Sequence, residues 1–424
     1  VRILMGAQNC GFGPASVLVA VARQLAGHER VFVGNGISAA FARRNAAAFD
    51  ALHDGGGAGP LPVDADRVVS VMDADLVLRS AVARRPVVLV DCLFGFWRHR
   101  QPLARIRELS ATLPRDSLPA ARRHLARLTP HERVLAAHFL ADHSVIQNFP
   151  GVPRRMAEFA DAGHAMRLTG PLVDLEGLYA ARADGGPDPD RGHDYDLLIN
   201  TGGFRNFLLD FDTNNDYLRL IDRWIPDLLA DWPRLDGVLL CGGPYAGHRA
   251  RTLRTAAGRR VDRRFLPQRE LLRHVARTPH YLLAPGLSAL HEATLLGRLP
   301  LGLHEQHYAH TFTVRHLVDT LFGRLAGRFA DVLPGHAPPE DDHAGTEALV
   351  AVAGRIREDD GLYARFRRTF NERLERYFAL TPEQRRDGAA ELRALLDGPP
   401  APAVIAGLLE DPPDSAGLGR RRPG

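Results

Sequence analysis

The 424-residue chain has no lysine; all 54 of its basic residues other than histidine are arginine. That absence removes whole reaction classes. A P-loop needs its lysine against the nucleotide phosphates, and pyridoxal phosphate or other Schiff-base chemistry needs an amine. Cysteine is scarce too. Cys10, Cys92 and Cys241 are odd in number and far apart. This excludes a disulfide framework or zinc-ligand spacing and is expected of reduced thiols in a cytoplasmic protein. No apolar run approaches the roughly 20 residues that span a bilayer. "VRILMGAQNC" lacks a signal-peptide core, so it is expected to be a first core strand. The net charge of +4 is small and spread along the chain, which gives no expectation of nucleic-acid binding.

What is present is ordinary globular composition, 45% hydrophobic and 25% charged, at a length that suffices for two cores. Apolar runs of strand length lie at Arg2–Ala7, Arg30–Gly34, Arg67–Met72, Pro86–Asp91 and Ser144–Phe149. Helical patterns such as "ASVLVAVARQLA" and "PHERVLAAHFLA" separate them. Continuous apolar strands alternating with helices predict a parallel sheet covered on both faces. "ARADGGPDPDRGHDYD" (181–196) is nearly without apolar residues and is expected to link a first domain, 1–180, to a second, 197–395. There the alternation restarts, with "DLLINTGG", "GVLLCGG" and Tyr281–Ala284 as strands. The Pro/Gly-rich segment 396–424 is expected to be a disordered tail apart from a short apolar turn. The predicted fold class is α/β, two Rossmann-like doubly wound domains in tandem.

In such sheets ligands bind beyond the carboxyl ends of the strands. "TGGFRN" (201–206) offers the amides of Gly202 and Gly203 beside Arg205, groups that favour a phosphate; an ordinary tight turn is the plainer reading. "PGLS" (285–288) carries Gly286, Leu287 and Ser288 into a helix N-terminus whose dipole also favours an anion. Glu292 follows in what reads as the first turn. It either favours that dipole or accepts hydrogen bonds from a ligand diol. Asp210 and Asp212 in "DFDTNND" form an Asp-x-Asp, but they fall where a helix should begin. They read as capping residues, and no metal is assigned.

One ordered string extends these signals. Phe265, Leu266 and Pro267-Gln268 precede the Tyr281–Ala284 strand; Gly286, Glu292, Gly297/Pro300 and Glu305-Gln306 follow. Over about 45 residues this order resembles the nucleotide-sugar signature of GT-B glycosyltransferases, of the UDP-glycosyltransferase and peptidoglycan lipid-intermediate transferase type. The resemblance implies two domains facing a cleft, with no cofactor beyond a nucleotide-sugar co-substrate. It implies that Phe265, Leu266 and Gln268 border the nucleobase and that Gly286, Leu287 and Ser288 hold the diphosphate. Glu292 would bind the ribose, Glu305 and Gln306 the sugar, and Gly202, Gly203 and Arg205 would approach the diphosphate. Two positions depart from the pattern. The family's frequent histidine before the glycine loop is Ala284, and its usual Asp before the final Gln is Glu305.

The first domain should then bind the acceptor. "QNCGFGPAS" (8–16) brings Gly11, Phe12 and Gly13 to the end of the first strand, where relatives keep a catalytic histidine; none is present. "VVLVDCLFGFW" (87–97) ends its strand at Asp91, followed by Phe94, Phe96 and Trp97. That acid is the candidate base, with Phe94 and Trp97 stacking on a flat acceptor; a capping Asp among core aromatics is the alternative. The same loop resembles nucleoside-modifying transferases of antibiotic pathways, such as cytosylglucuronate synthases. The expected function is metal-independent sugar transfer from a nucleotide sugar, a UDP-sugar in the reading adopted, to a small-molecule acceptor, with a nucleotide-sugar epimerase or hydrolase as the alternative. An NAD-type oxidoreductase on "CGFGPAS" is disfavoured, since the last fingerprint glycine and the ribose-binding acid are missing.

Overall fold

A computed structural model of the chain describes residues 1–55, 59–184, 194–203, 216–242, 251–255 and 258–410. Seven strands form the first sheet: β1 (Arg2–Ala7), β2 (Glu29–Gly34), β3 (Ala51–Asp54), β4 (Arg67–Val71), β5 (Val87–Asp91), β6 (His143–Gln147) and β7 (Arg167–Thr169). Their order is β3-β2-β1-β4-β5-β6-β7, and every neighbouring pair is parallel. Ile3, Leu4 and Met5 are all fully buried. That is what a central strand with helices on both faces requires, and why β1 reads as an unbroken apolar run.

The second sheet holds β8 (Leu197–Asn200), β9 (Gly237–Cys241), β10 (Arg251–Arg254), β11 (Arg260–Arg264), β12 (His280–Leu283) and β13 (Leu301–Gly302). Its order is β10-β11-β9-β8-β12-β13, parallel except for the antiparallel edge pair β10–β11. The expected pair of doubly wound sheets is the observed one. Strand order reverses beside the first strand of each, where β1 pairs with β4 and β8 with β12. Those switch points open the crevices that such folds use for ligands. β10 and β11 carry charged stretches, "RTLR" and "RVDRR", with no strand-like apolar run. They pair because Asp262 is satisfied at the edge, accepting from Thr252 Oγ1 at 2.6 Å and from Tyr195 and Arg260.

Two boundaries differ from the sequence reading. The Leu175–Asp184 helix belongs to the second lobe: Leu178 and Ala181 pack with Leu272 in one apolar cluster. The crossing therefore occurs near residues 170–173, before the acidic 181–196 segment, whose residues 185–193 lie outside the described ones. The expected tail is also partly ordered. Residues 401–410 form a helix that returns to the first lobe, with Ala401, Ile405 and Leu408 buried against its core. The apolar run "AVIAGLL" drives this despite the flanking prolines. No described helix is long and apolar enough to cross a membrane.

Beside the two crossings, Gly170 N–H donates to the Pro399 carbonyl at 2.7 Å. Asp174 is buried and pairs with both Arg23 of the first lobe and Arg269 of the second. Burial first, then the charge of Arg269, holds the Arg23 guanidinium down at about 10. Ile405→Ala should destabilise the protein by about 2–5 kcal/mol in urea unfolding, as buried Ile truncations do. An unchanged midpoint would return the segment to the status of a tail.

Candidate active site between the lobes

The loops after β1, β8 and β12 meet in one interlobe cavity of about 200 Å³. Two helices begin there, Phe12–Gln24 with Gly11 as its N-cap and Leu287–Leu295 with Gly286 as its N-cap. Neither N-cap has a side-chain hydrogen bond. The lobes touch closely: Phe12 N–H donates to the Gly203 carbonyl at 2.9 Å, and Ser288 Oγ donates to the Gly13 carbonyl at 3.4 Å. A Cβ on Gly203 would lie 2.5 Å from the Phe12 ring, and one on Gly11 would lie 2.8 Å from the Gly203 oxygen. Glycine at both positions is the condition for this contact.

The cavity is small beside the roughly 300–1,000 Å³ typical of ligand sites. Phe12 occupies part of it. Its ring stacks on Phe265 at 4.8 Å with 3° between the planes, and Arg44 lies 5.1 Å from the Phe265 ring centre. The Phe265 face expected to border a nucleobase is thus covered by a residue of the opposite lobe.

Glu292 sits in the second turn of its helix, past the reach of the N-terminal dipole, and only 4% of it is exposed. Its Oε1 accepts from Gln268 Nε2 at 2.9 Å. Burial pushes its carboxyl up to about 7, against the opposing hydrogen bond from Gln268. Gln268 is itself anchored from the first lobe, its N–H donating to Asn45 Oδ1 at 3.0 Å. Gln268 Oε1 is buried without a partner among the described residues. Two acceptor groups therefore stand side by side at the cavity wall with spare capacity, an arrangement suited to the two hydroxyl donors of a diol.

Two histidines escaped the sequence reading. His307 and His310 both line the cavity, with ring centres 3.8 Å apart. Burial holds His307 down at about 4 and His310 well below its ordinary value, the latter helped by its neighbour His307. Both are neutral imidazoles at pH 7. His310 Nδ1 accepts from the Gln306 N–H at 3.3 Å, so Nε2 carries the proton. That nitrogen lies 3.8 Å from where a Gly286 Cβ would stand. A donor is therefore aimed at the glycine loop although Ala284 replaces the expected histidine. The spacing His307-x-x-His310 was the available signal, but only the fold brings both rings to the cavity and His310 to the loop after β12.

Gly11, Phe12, Gly13, Gly202 and Gly203 line the cavity, as do Gln268, Gly286, Leu287, Ser288, Glu292 and Gln306. The Gly11–Gly13 loop faces Gly203 and Ser288 of the second lobe across the seam. Leu266 packs into the core behind the site. Glu305 turns away as well: it is buried, and Oε2 accepts from the Phe329 N–H at 2.9 Å. Arg205, Asp210 and Asp212 lie outside the described residues. Among the described residues no group of three or more His, Cys, Asp or Glu side chains could hold a metal.

The Asp91 assignment does not fit the geometry. Asp91 is 0% exposed and lines no part of the cavity. Oδ1 accepts from the Leu93 N–H at 2.7 Å; Oδ2 accepts from Trp97 Nε1 at 2.6 Å and from His138 Nε2 at 3.0 Å. His138 Nδ1 then accepts from Ser144 Oγ at 3.0 Å. The row resembles a hydrolase triad, yet His138 and Ser144 are 0% and 1% exposed and no substrate reaches them. Phe94 packs edge-on against His138 and Phe159 in the same core. Trp97 is 2% exposed, its ring committed to Asp91 and Phe96. Strand-end position and the neighbouring aromatics suggested a site; burial of Asp91, Phe94 and Trp97 in the core makes these three residues structural.

No family model and no curated protein matches the chain. Several solved structures do align along nearly their whole length. CalG4, the calicheamicin glycosyltransferase, is 16% identical, covering 100% of this chain and 99% of its own, with a TM-score of 0.41. The spinosyn forosaminyltransferase SpnP is 14% identical over 96% of this chain and 98% of its own, at 0.45. Arabidopsis thaliana UGT89C1, complexed with UDP-L-rhamnose, is 12% identical over 88% and 98%, at 0.40. At this score and identity the chemistry has to be read from the side chains.

Asp91→Asn should cost about 3–5 kcal/mol in urea unfolding, because buried donors lose their charged acceptor. The folded fraction should bind ligands as before. A stable variant that loses only kcat would restore the catalytic assignment. For Glu292 the folded carboxyl titrates near 7 and the unfolded one near its ordinary value of 4.5. The folded state holds more protons between these values, so stability falls as pH rises from about 4.5 to 7. Glu292→Gln should therefore raise the melting temperature at pH 8 and leave it nearly unchanged at pH 4. Equal effects at both values would refute this.

Proposed function

We propose that the chain transfers a sugar from a UDP-sugar to a small-molecule acceptor held between the lobes. One observation carries the reading: an acceptor pair for a diol, Glu292 and Gln268, stands beside an uncapped helix N-terminus in one interlobe cavity. Leu287 and Glu292 are five positions apart, about 7.5 Å along a helix. A ribose bearing a 5′-diphosphate spans that distance, with its hydroxyls toward Glu292 and its phosphates toward Gly286 and Ser288. The ordered string from Phe265 to Gln306 supports the same assignment.

In this reading the departing diphosphate meets the amides of the Leu287–Leu295 helix and the Nε2–H of His310, groups placed where charge develops. His310 takes the part left empty at Ala284, and Arg205 remains a candidate from the loop after β8. No metal is required. Phe12 must leave the face of Phe265 before a base can stack there. With Asp91 withdrawn, His307 becomes the candidate to accept the acceptor's proton. It is a neutral imidazole on the cavity wall; burial holds its pKa down at about 4, with the Asp342 carboxylate opposing. Nothing among the described residues favours the epimerase or hydrolase alternative.

Calorimetry is the test. A hydrogen bond to a charged group contributes roughly 1.5–3 kcal/mol, so Glu292→Ala should weaken UDP binding about 10- to 150-fold, and sugar transfer should persist in excess chelator. Unchanged UDP affinity in a folded variant would overturn the donor assignment. Activity lost to chelator and restored by a divalent cation would overturn the metal-free one.

A further inference from the structure

A second hollow, of about 290 Å³, lies in the same seam on the far side of the Tyr308–His316 helix. Ala309, His310 and Thr313 of that helix face the main cavity, whereas Phe312 and His316 line the hollow. The first lobe contributes the other wall, where Arg98, His99, Arg154, Arg155 and Glu158 gather. Three guanidiniums and two imidazoles thus surround one space with a single carboxylate.

That carboxylate is already engaged. Arg155 donates to Glu158 Oε2 at 2.8 Å, to the Trp97 carbonyl at 3.0 Å and to His99 Nε2 at 3.3 Å. Burial, with the nearby charge of Arg98, lowers the Arg155 pKa although Glu158 opposes. Arg98 and Arg154 are exposed, and among the described residues neither guanidinium has an ion-pair or hydrogen-bond partner. The Val152–Asp161 helix starts at the same rim, with Gly151 as an N-cap that makes no side-chain bond. A Cβ on Gly151 would meet nothing within 4 Å, so the approach to those amides is open. Three guanidiniums share one hollow with a single carboxylate already engaged by Arg155, so an anion entering it gains charge-assisted hydrogen bonds from the other two.

We propose that this hollow is an anion site, and that it seats a carboxylate or phosphate group of the acceptor while the main cavity holds the donor. The second clause rests on the transferase reading; the first does not. The acceptor class is then a small anionic molecule whose charged end lies against Arg98 and Arg154, and whose other end reaches past the Tyr308–His316 helix. The Arg98 and Arg154 pair acts as a specificity determinant.

The test uses the full chain, free and saturated with UDP, at low ionic strength. Benzoate and phenyl phosphate are the anionic probes, and methyl benzoate is the neutral control. Calorimetry should show binding of at least one anion to both states, and the tighter of the two names the group. Methyl benzoate should not bind. R98Q/R154Q changes two exposed side chains and should weaken the anion by about 10-fold or more, with UDP affinity unchanged. Anion binding retained in the double variant, absent from the wild type, or matched by the ester would overturn the site. Binding to the free protein that UDP abolishes would place the anion in the donor cavity and overturn it equally. Should UDP fail to bind at all, the free-protein titration still decides the anion site while the transferase reading falls.

Discussion

One backbone hydrogen bond, from the Phe12 N–H to the Gly203 carbonyl, sets the distance at which the two lobes meet. Everything at the site follows from that separation. It brings the two helix N-termini to opposite walls of one cavity, and it leaves room for no side chain on Gly11 or Gly203. The approach is short because both partners are backbone, and backbone groups buried at a seam must be paired. Asn45 repeats the device nearby by accepting from the Gln268 N–H. The first lobe thereby orients a residue that holds Glu292 of the second.

The electrostatics of the closed cavity are unusual in what they withhold. Glu292, His307 and His310 are all driven toward their neutral forms by burial. An acid and two bases shifted toward their neutral forms cost less to enclose than fully charged groups would. Each then has something to gain from a ligand that brings hydroxyl donors or an anion. The helix N-termini supply a positive field without any titrating group, so that field does not depend on pH. Such a cavity can be closed when empty, with Phe12 lying on Phe265, at the smallest electrostatic cost below the pH where Glu292 ionises.

Much of the fold was legible because buried parallel strands write themselves as unbroken apolar runs; β1 and β8 are plain examples. The edge strands β10 and β11 were not legible, since their stability comes from Asp262 and its donors, a contact set by tertiary structure. That Gln268, Gly286, Leu287, Ser288, Glu292 and Gln306 share one cavity was legible because they lie in one continuous string. Asp91 misled because a carboxylate at a strand end looks alike whether its loop is open or roofed by Trp97 and His138. Glu305 misled in the same way. Its neighbour Gln306 faces the cavity, while Glu305 itself caps the Phe329 amide. His310 went unseen for the opposite reason: its role depends on a ring reaching Gly286 across the fold, 24 residues away in sequence.

The C-terminal helix gives the molecule a mechanical character. The chain leaves the first lobe at Gly170 and comes back to it at Gly398 and Pro399, and these two passages run side by side, joined by the Gly170–Pro399 hydrogen bond. A pair of bodies joined by a single strand can twist and slide as well as open. Two strands stitched together along one line behave as the spine of a book, which leaves a page-turning rotation as the soft motion and resists the others. A rotation about that line would part Phe12 from Phe265 and would return the same faces in register.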